Sequence, residues 1–143
     1  MALSFKYRRE LFEGKPAYFP KIPVTLFNKG IIFPTSALLD SGATHVFIPR
    51  EIANALELEL KNPDMATSWT GEFKVWESHI GVIVGKGAQT FRQKLPCNVP
   101  DDECKHAEVV FGRSFFKNFE ITFDEQAKKT LLKKSTLKIN RFH

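Results

Sequence analysis

Cysteine is scarce in this chain: 143 residues contain two, Cys97 and Cys104, separated by six others. That spacing is neither CxxC nor a common zinc spacing, so reduced thiols are expected rather than a disulfide framework or a metal site, although His106 lies close by. Long apolar runs are missing as well, and none approaches the roughly 18 residues of a membrane span. The opening MALSFKYRRELFEGK becomes charged by Lys6 without the apolar stretch of a secretory signal. A cytoplasmic protein with no membrane partner is expected. No Gly-aromatic RNA-binding signature accompanies the net charge of +5. Much of that excess sits in KKTLLKKSTLKINRFH, with six basic residues and no acid, which reads as a solvated tail. Nucleic-acid binding through this tail remains a lesser alternative, and it predicts affinity that falls steeply with salt.

What the chain does contain is apolar and aromatic. Hydrophobic residues make up 43% and phenylalanine alone accounts for 14 positions, enough for one well-filled core or an interface. Short apolar runs dominate. SFKYRREL reads as an opening strand. IPVTLF and IIFPTSALL flank Asn28-Lys29-Gly30 as a hairpin, with Pro34 marking a bulge or an edge. HVFIP is a short strand, and PREIANALELEL (49–60) has helical spacing with Pro49 at its first position. Residues 64–71, DMATSWTG, look like a turn with an aromatic tip. Strands are expected at 73–85, 88–99, 108–111, 120–124 and 130–134, with a short helix in SFFKNF. The expected class is mainly β: a closed barrel-like domain with one or two short helices.

One junction stands out. LLDSGAT (38–44) runs from an apolar strand straight into a carboxylate followed by small residues. Asp40 either opens a turn after a buried strand or is held by that strand at a fixed place in a cleft. The string ALLDSGATHVFIP resembles the catalytic segment of the retropepsin-like (retroviral-type) aspartic proteases. EVVFGRSFFKNFEITFD resembles that family's second mark, two apolar residues and Gly-Arg at the start of a short helix: Val110, Phe111, Gly112, Arg113. Order and spacing agree over about residues 22–133, including the helix Ile48–Leu56. The opening segment is more similar to the cellular and prokaryotic branch than to the viral one.

The resemblance implies a single domain over 1–143, with a core of about 22–133, an N-terminal extension 1–21 and a basic tail 134–143. It implies an aspartic endopeptidase with Asp40 as the catalytic residue and no cofactor or metal. Two facing carboxylates sharing one proton would activate a water, and activity would rise toward acidic pH. Asp64, Asp101, Asp102 and Asp124 lack a following Ser/Thr-Gly, so the second carboxylate would come from another copy of the chain in a symmetric homodimer. Ser41, Gly42, Ala43 and Thr44 would form the active-site loop, the Ser41 hydroxyl bonding across the dimer. Gly112 and Arg113 would support the loop from behind. Ser68, Trp69, Thr70 and Gly71 would lie on a flap over a peptide or unfolded protein substrate, although Trp69 and Trp76 also suit a core or interface. At position 44 the viral enzymes carry an Asp that pairs with the Gly-Arg arginine; Thr44 leaves Arg113 without that partner. His45 could tune the site's response to pH or be an ordinary strand histidine. The alternative function is a peptide-binding or interaction module on the same fold that does not cut.

Overall fold

The computed structural model describes residues 2–68, 71–101 and 108–135. Alternation builds the first long strand, β4 (Lys21–Asn28), whose Ile22, Val24 and Leu26 point inward. Lys29 (φ 49°) and Gly30 (φ 81°) then make a two-residue turn with both residues left-handed, the geometry that matches strand twist. The turn returns the chain as β5 (Ile31–Leu39), in register from Asn28–Ile31 to Lys21–Leu38. Pro34 lies on the stretch of β5 that pairs with β4 alone, where its missing N–H breaks no ladder.

Four further strands complete a ring: β6 (Val46–Phe47), β8 (Gly71–Val84), β9 (Phe91–Pro100) and β10 (Val110–Phe111). The order is β4-β5-β10-β6-β9-β8, and β8 returns to β4 through Thr25–Phe27 against Gly81–Ile83. The result is a closed six-stranded barrel, as expected. At this seam Gly81 makes room for the Phe27 ring: a Cβ there would fall 2.3 Å from it, so the ring would have to shift. Strand β7 (Lys61–Ser68) pairs only with β8, and β8 meets β9 only from Val75 onward. Residues 64–68 and 71–74 therefore project beyond the barrel as a two-stranded arm.

Two smaller sheets flank the barrel. β1 (Ala2–Lys6), β12 (Lys129–Lys134) and β11 (Phe119–Asp124) form one in that order, and β2 (Arg8–Phe12) with β3 (Lys15–Phe19) forms a hairpin. Helices are brief: α1 (Arg50–Ala55), α2 (Arg113–Phe116) and a 3₁₀ turn at Gly87–Gln89.

Three expectations need correction. The opening run 4–11 is two strands rather than one, broken at buried Tyr7, whose N–H donates to the Lys128 carbonyl at 2.8 Å. Residues 64–68 are strand rather than turn, because pairing with β8 outweighs their turn composition; the irregularity falls between Lys61 and Asp64, where Asn62 is left-handed (φ 49°). The helix of 49–60 stops after Ala55. Glu57 adopts φ 54°, its N–H donating to Asn54 and that of Leu58 to Ala53. This paired C-terminal cap normally calls for glycine or asparagine, so the glutamate hid it.

The phenylalanine excess is partly explained by the core. Phe91, Phe111, Phe115 and Phe119 form one ring cluster, with centroids 4.7 Å apart for Phe111–Phe115, 5.0 Å for Phe115–Phe119 and 4.8 Å for Phe91–Phe119. Phe115 is fully buried at its centre and fastens α2 to the barrel. Replacing Phe115 with Ala is expected to cost about 3–5 kcal/mol. Urea unfolding should show the loss, and an unchanged midpoint would contradict this packing.

Candidate active site

Strand β5 delivers Asp40 to the surface. Its last residues are locked from both sides: Leu38 N–H donates to Val109 O at 2.9 Å, Leu39 N–H to Pro20 O at 3.0 Å, and Asp40 N–H to Phe111 O at 3.1 Å. β10 is the central element. It runs parallel to β5 on one side and antiparallel to β6 on the other, so the strands before and after the Asp40 loop share one partner. Leu39, Val46 and Phe111 are buried at this crossing.

The loop folds on its own backbone. Gly42 N–H donates to Asp40 Oδ1 at 2.8 Å, and Ala43 N–H to Asp40 O at 3.1 Å. Asp40 therefore makes a turn and is also exposed: one carboxylate oxygen is oriented by the backbone, and the side chain faces outward from this chain. A Cβ on Gly42 would approach that same oxygen to 3.2 Å.

Behind the loop, the first turn of α2 supplies the donors that a helix start leaves unpaired. Gly112 N–H bonds His45 O at 3.1 Å, Arg113 N–H bonds Ala43 O at 2.8 Å, and Ser114 N–H bonds Thr44 O at 3.0 Å. Three consecutive amides thus hold three consecutive loop carbonyls. Contact is so close that a Cβ on Gly112 would lie 2.5 Å from both Ala43 O and His45 O. With φ at −92°, Gly112 is required for space and not for conformation.

Ser41, Gly42 and Thr44 are exposed and Ala43 is half-buried. Gly112 and Arg113 meet the loop through the backbone, while the Arg113 side chain is exposed and makes no ion pair among the described residues. Ser68 and Gly71 are the paired end residues of the β7–β8 arm, and Gly71 has φ 120°, which suits a glycine at a hairpin tip. Trp69 and Thr70 lie outside the described residues, as do Asp102, Cys104 and His106. Trp76 is half-buried, with Lys74 Nζ 5.1 Å from its ring centroid. The sequence reading missed Ser114, His45 as a carbonyl acceptor, and Val109 and Pro20. These act through main-chain groups, which every residue carries, so side-chain identity gave no signal.

Other acids have local duties. Asp64 Oδ1 accepts from Met65 N–H next to the irregularity in β7, and Asp124 Oδ1 from Ala127 N–H at the turn between β11 and β12. No group of three or more His, Cys, Asp or Glu among the described residues could hold a metal ion. Cys97, on β9 beside Val46, is only 2% exposed, and burial pushes its thiol up to about 12.

Comparison with known proteins places this chain in a protease family. Residues 30–118 match a family described as "gag-polyprotein putative aspartyl protease". No curated protein matches. Among solved structures, a retropepsin-like aspartic protease from Rickettsia conorii is similar at 18% identity, over 92% of this chain and 91% of that one, with a TM-score of 0.61. EIAV protease in complex with the inhibitor HBY-793 is similar at 17% identity, over 69% of this chain and 86% of that one, with a TM-score of 0.51. No helix of the described residues is long and apolar enough to cross a membrane.

Two outcomes follow from this geometry. Gly112→Ala forces the loop and α2 apart and should cost about 1–3 kcal/mol or more, whereas Gly42→Ala, which meets only a side-chain oxygen, should cost less; chemical unfolding of the two variants ranks them. Cys97 should resist iodoacetamide at pH 8 in the native protein and react once unfolded, because the reactive species is the thiolate. Peptide mapping locates the label.

Proposed function

The chain belongs to the gag-polyprotein aspartyl protease family and has the retropepsin-like fold, and from that premise we propose that it is an aspartic endopeptidase active as a symmetric homodimer. The observation that carries this reading is the state of Asp40. A backbone-anchored carboxylate stands exposed at the end of a buried strand, and one such motif occurs in the chain. Peptide hydrolysis without a covalent intermediate needs a base and an acid at once. One carboxyl group cannot be both, whereas two copies related by a two-fold axis supply both.

In the proposed cycle the two Asp40 groups share a proton. The ionised carboxylate removes a proton from a water as its oxygen attacks the scissile carbonyl carbon. The protonated carboxyl gives its proton to the carbonyl oxygen, producing a neutral gem-diol. The first group then passes its proton to the amide nitrogen, the C–N bond breaks, and the second group recovers a proton from the gem-diol hydroxyl. The products are a carboxylic acid and an amine, and the pair again holds one proton. Like charges this close cannot both persist, which is why the pair titrates as a unit.

The loop residues have separate duties. The Gly42 N–H holds one oxygen of Asp40, leaving the other for water. Ser41, exposed beside it, is the proposed link to the partner's loop. The β7–β8 arm is the proposed flap, and an extended substrate segment would lie beneath it, held largely by main-chain hydrogen bonds. Thr44 accepts from Ser114 through its backbone carbonyl, so loop support here does not need the Asp–Arg pair of the viral enzymes.

Asp40→Asn keeps the size and the hydrogen-bonding oxygen but removes the acid. It should abolish cleavage of denatured casein while leaving the unfolding midpoint and the solution mass unchanged. Full activity in that variant would refute the assignment.

A further inference from the structure

A cavity of about 900 Å³ opens beside the Lys29 turn, β9 and α2, and neither Asp40, Ser41 nor Gly42 lines it. Its size is near the upper end of small-molecule sites, about 300–1,000 Å³. Its wall is polar and basic, with Lys29, Lys94, Lys117, His45 and His79 all contributing. Two glutamates also line it: Glu59 lies 3.7 Å from Lys61 Nζ, which offsets its charge, whereas Glu77 Oε2 accepts only from the neutral Asn62 Nδ2 at 3.1 Å and keeps its charge. Among the described residues no carboxylate pairs with Lys29, Lys94 or Lys117. Ser114 supplies an independent sign. It lines the same cavity, and its Oγ is buried without a hydrogen-bond partner; a turn about its side-chain torsion toward the cavity would let a ligand oxygen satisfy that hydroxyl.

We propose that this cavity binds a small polyphosphate-bearing anion, with the three lysine ammonium groups neutralising it and the Ser114 hydroxyl donating to one of its oxygens. Four lysines against two glutamates leave a formal charge of +2 around one space, which calls for more than a single negative charge. Lysine suits phosphate, since its ammonium needs no planar fork to match. The site adjoins the catalytic loop through two residues it shares with the α2 contact: Ser114, whose N–H holds Thr44 O, and His45, whose carbonyl receives Gly112 N–H. An occupant would therefore lie beside residues whose main-chain hydrogen bonds support the Asp40 loop.

The test is calorimetric titration of the full chain with sodium tripolyphosphate at about 0.15 M salt, repeated on Asp40→Asn so that the result is independent of proteolysis. One saturable site per chain is expected, weakened at least about tenfold in Lys94→Gln/Lys117→Gln. It should be weakened several-fold in Ser114→Ala and unchanged in the Lys86→Gln/Lys133→Gln control, whose lysines lie outside the cavity. Equal affinity for ATP and tripolyphosphate supports the polyphosphate as the recognised group. The proposal is overturned by any of four results: no saturable heat; equal binding by both double variants; binding that disappears when Lys138 and Arg141 of the tail become Gln; or binding of adenosine or an aspartate-rich peptide in place of tripolyphosphate.

Discussion

The hydrogen bonds that join β10 and the start of α2 to the Asp40 loop are the constraint on which the rest of the molecule depends. Residues 40–45 have almost no regular structure of their own, yet the role proposed for Asp40 requires its carboxylate to be held to a fraction of an ångström. Backbone donors solve this, because they are short, rigid and already unpaired at a helix start. Each such bond contributes only about 1 kcal/mol net. Their value is therefore geometric, and the energy that holds them in place comes from the buried cluster of Phe111, Phe115, Phe119 and Phe91 behind them.

On the proposed function, that arrangement yields half of a catalytic centre. The fold positions one carboxylate, oriented by Gly42 and open to solvent. The chain's own ends are committed elsewhere: β1 pairs with β12, which pairs with β11. The N-terminal strand is thus paired within its own chain. The outer edges of β1 and β11 are the strand edges of this sheet left open among the described residues.

Much of the barrel was legible because strands of this kind announce themselves. The alternation of β4, the left-handed Lys29-Gly30 pair and the apolar runs around Asp40 and Gly112 each carry a local physical signal. The two motifs also showed what must meet, since a strand ending in Asp and a strand ending in Gly-Arg are useful together only if they cross. Other features left no such mark. Glu57 ends α1 in a conformation that its side chain disfavours, and residues 64–68 become strand only because β8 offers an edge. The amide–carbonyl contacts of residues 112–114 use groups common to all residues; only Gly112 betrays them, by leaving out a Cβ. The basic cavity was hidden for another reason, since Lys29, Lys94 and Lys117 come from three distant segments and meet only in the folded chain.

The central claim is that each copy of the chain lends one Asp40 to a shared site. Mixing wild-type protein with Asp40→Asn at constant total concentration, under conditions that let subunits exchange, tests it most directly. The account predicts that activity falls as the square of the wild-type fraction, since only pairs with two acids cleave. A linear fall would mean that each chain works alone and would contradict the account.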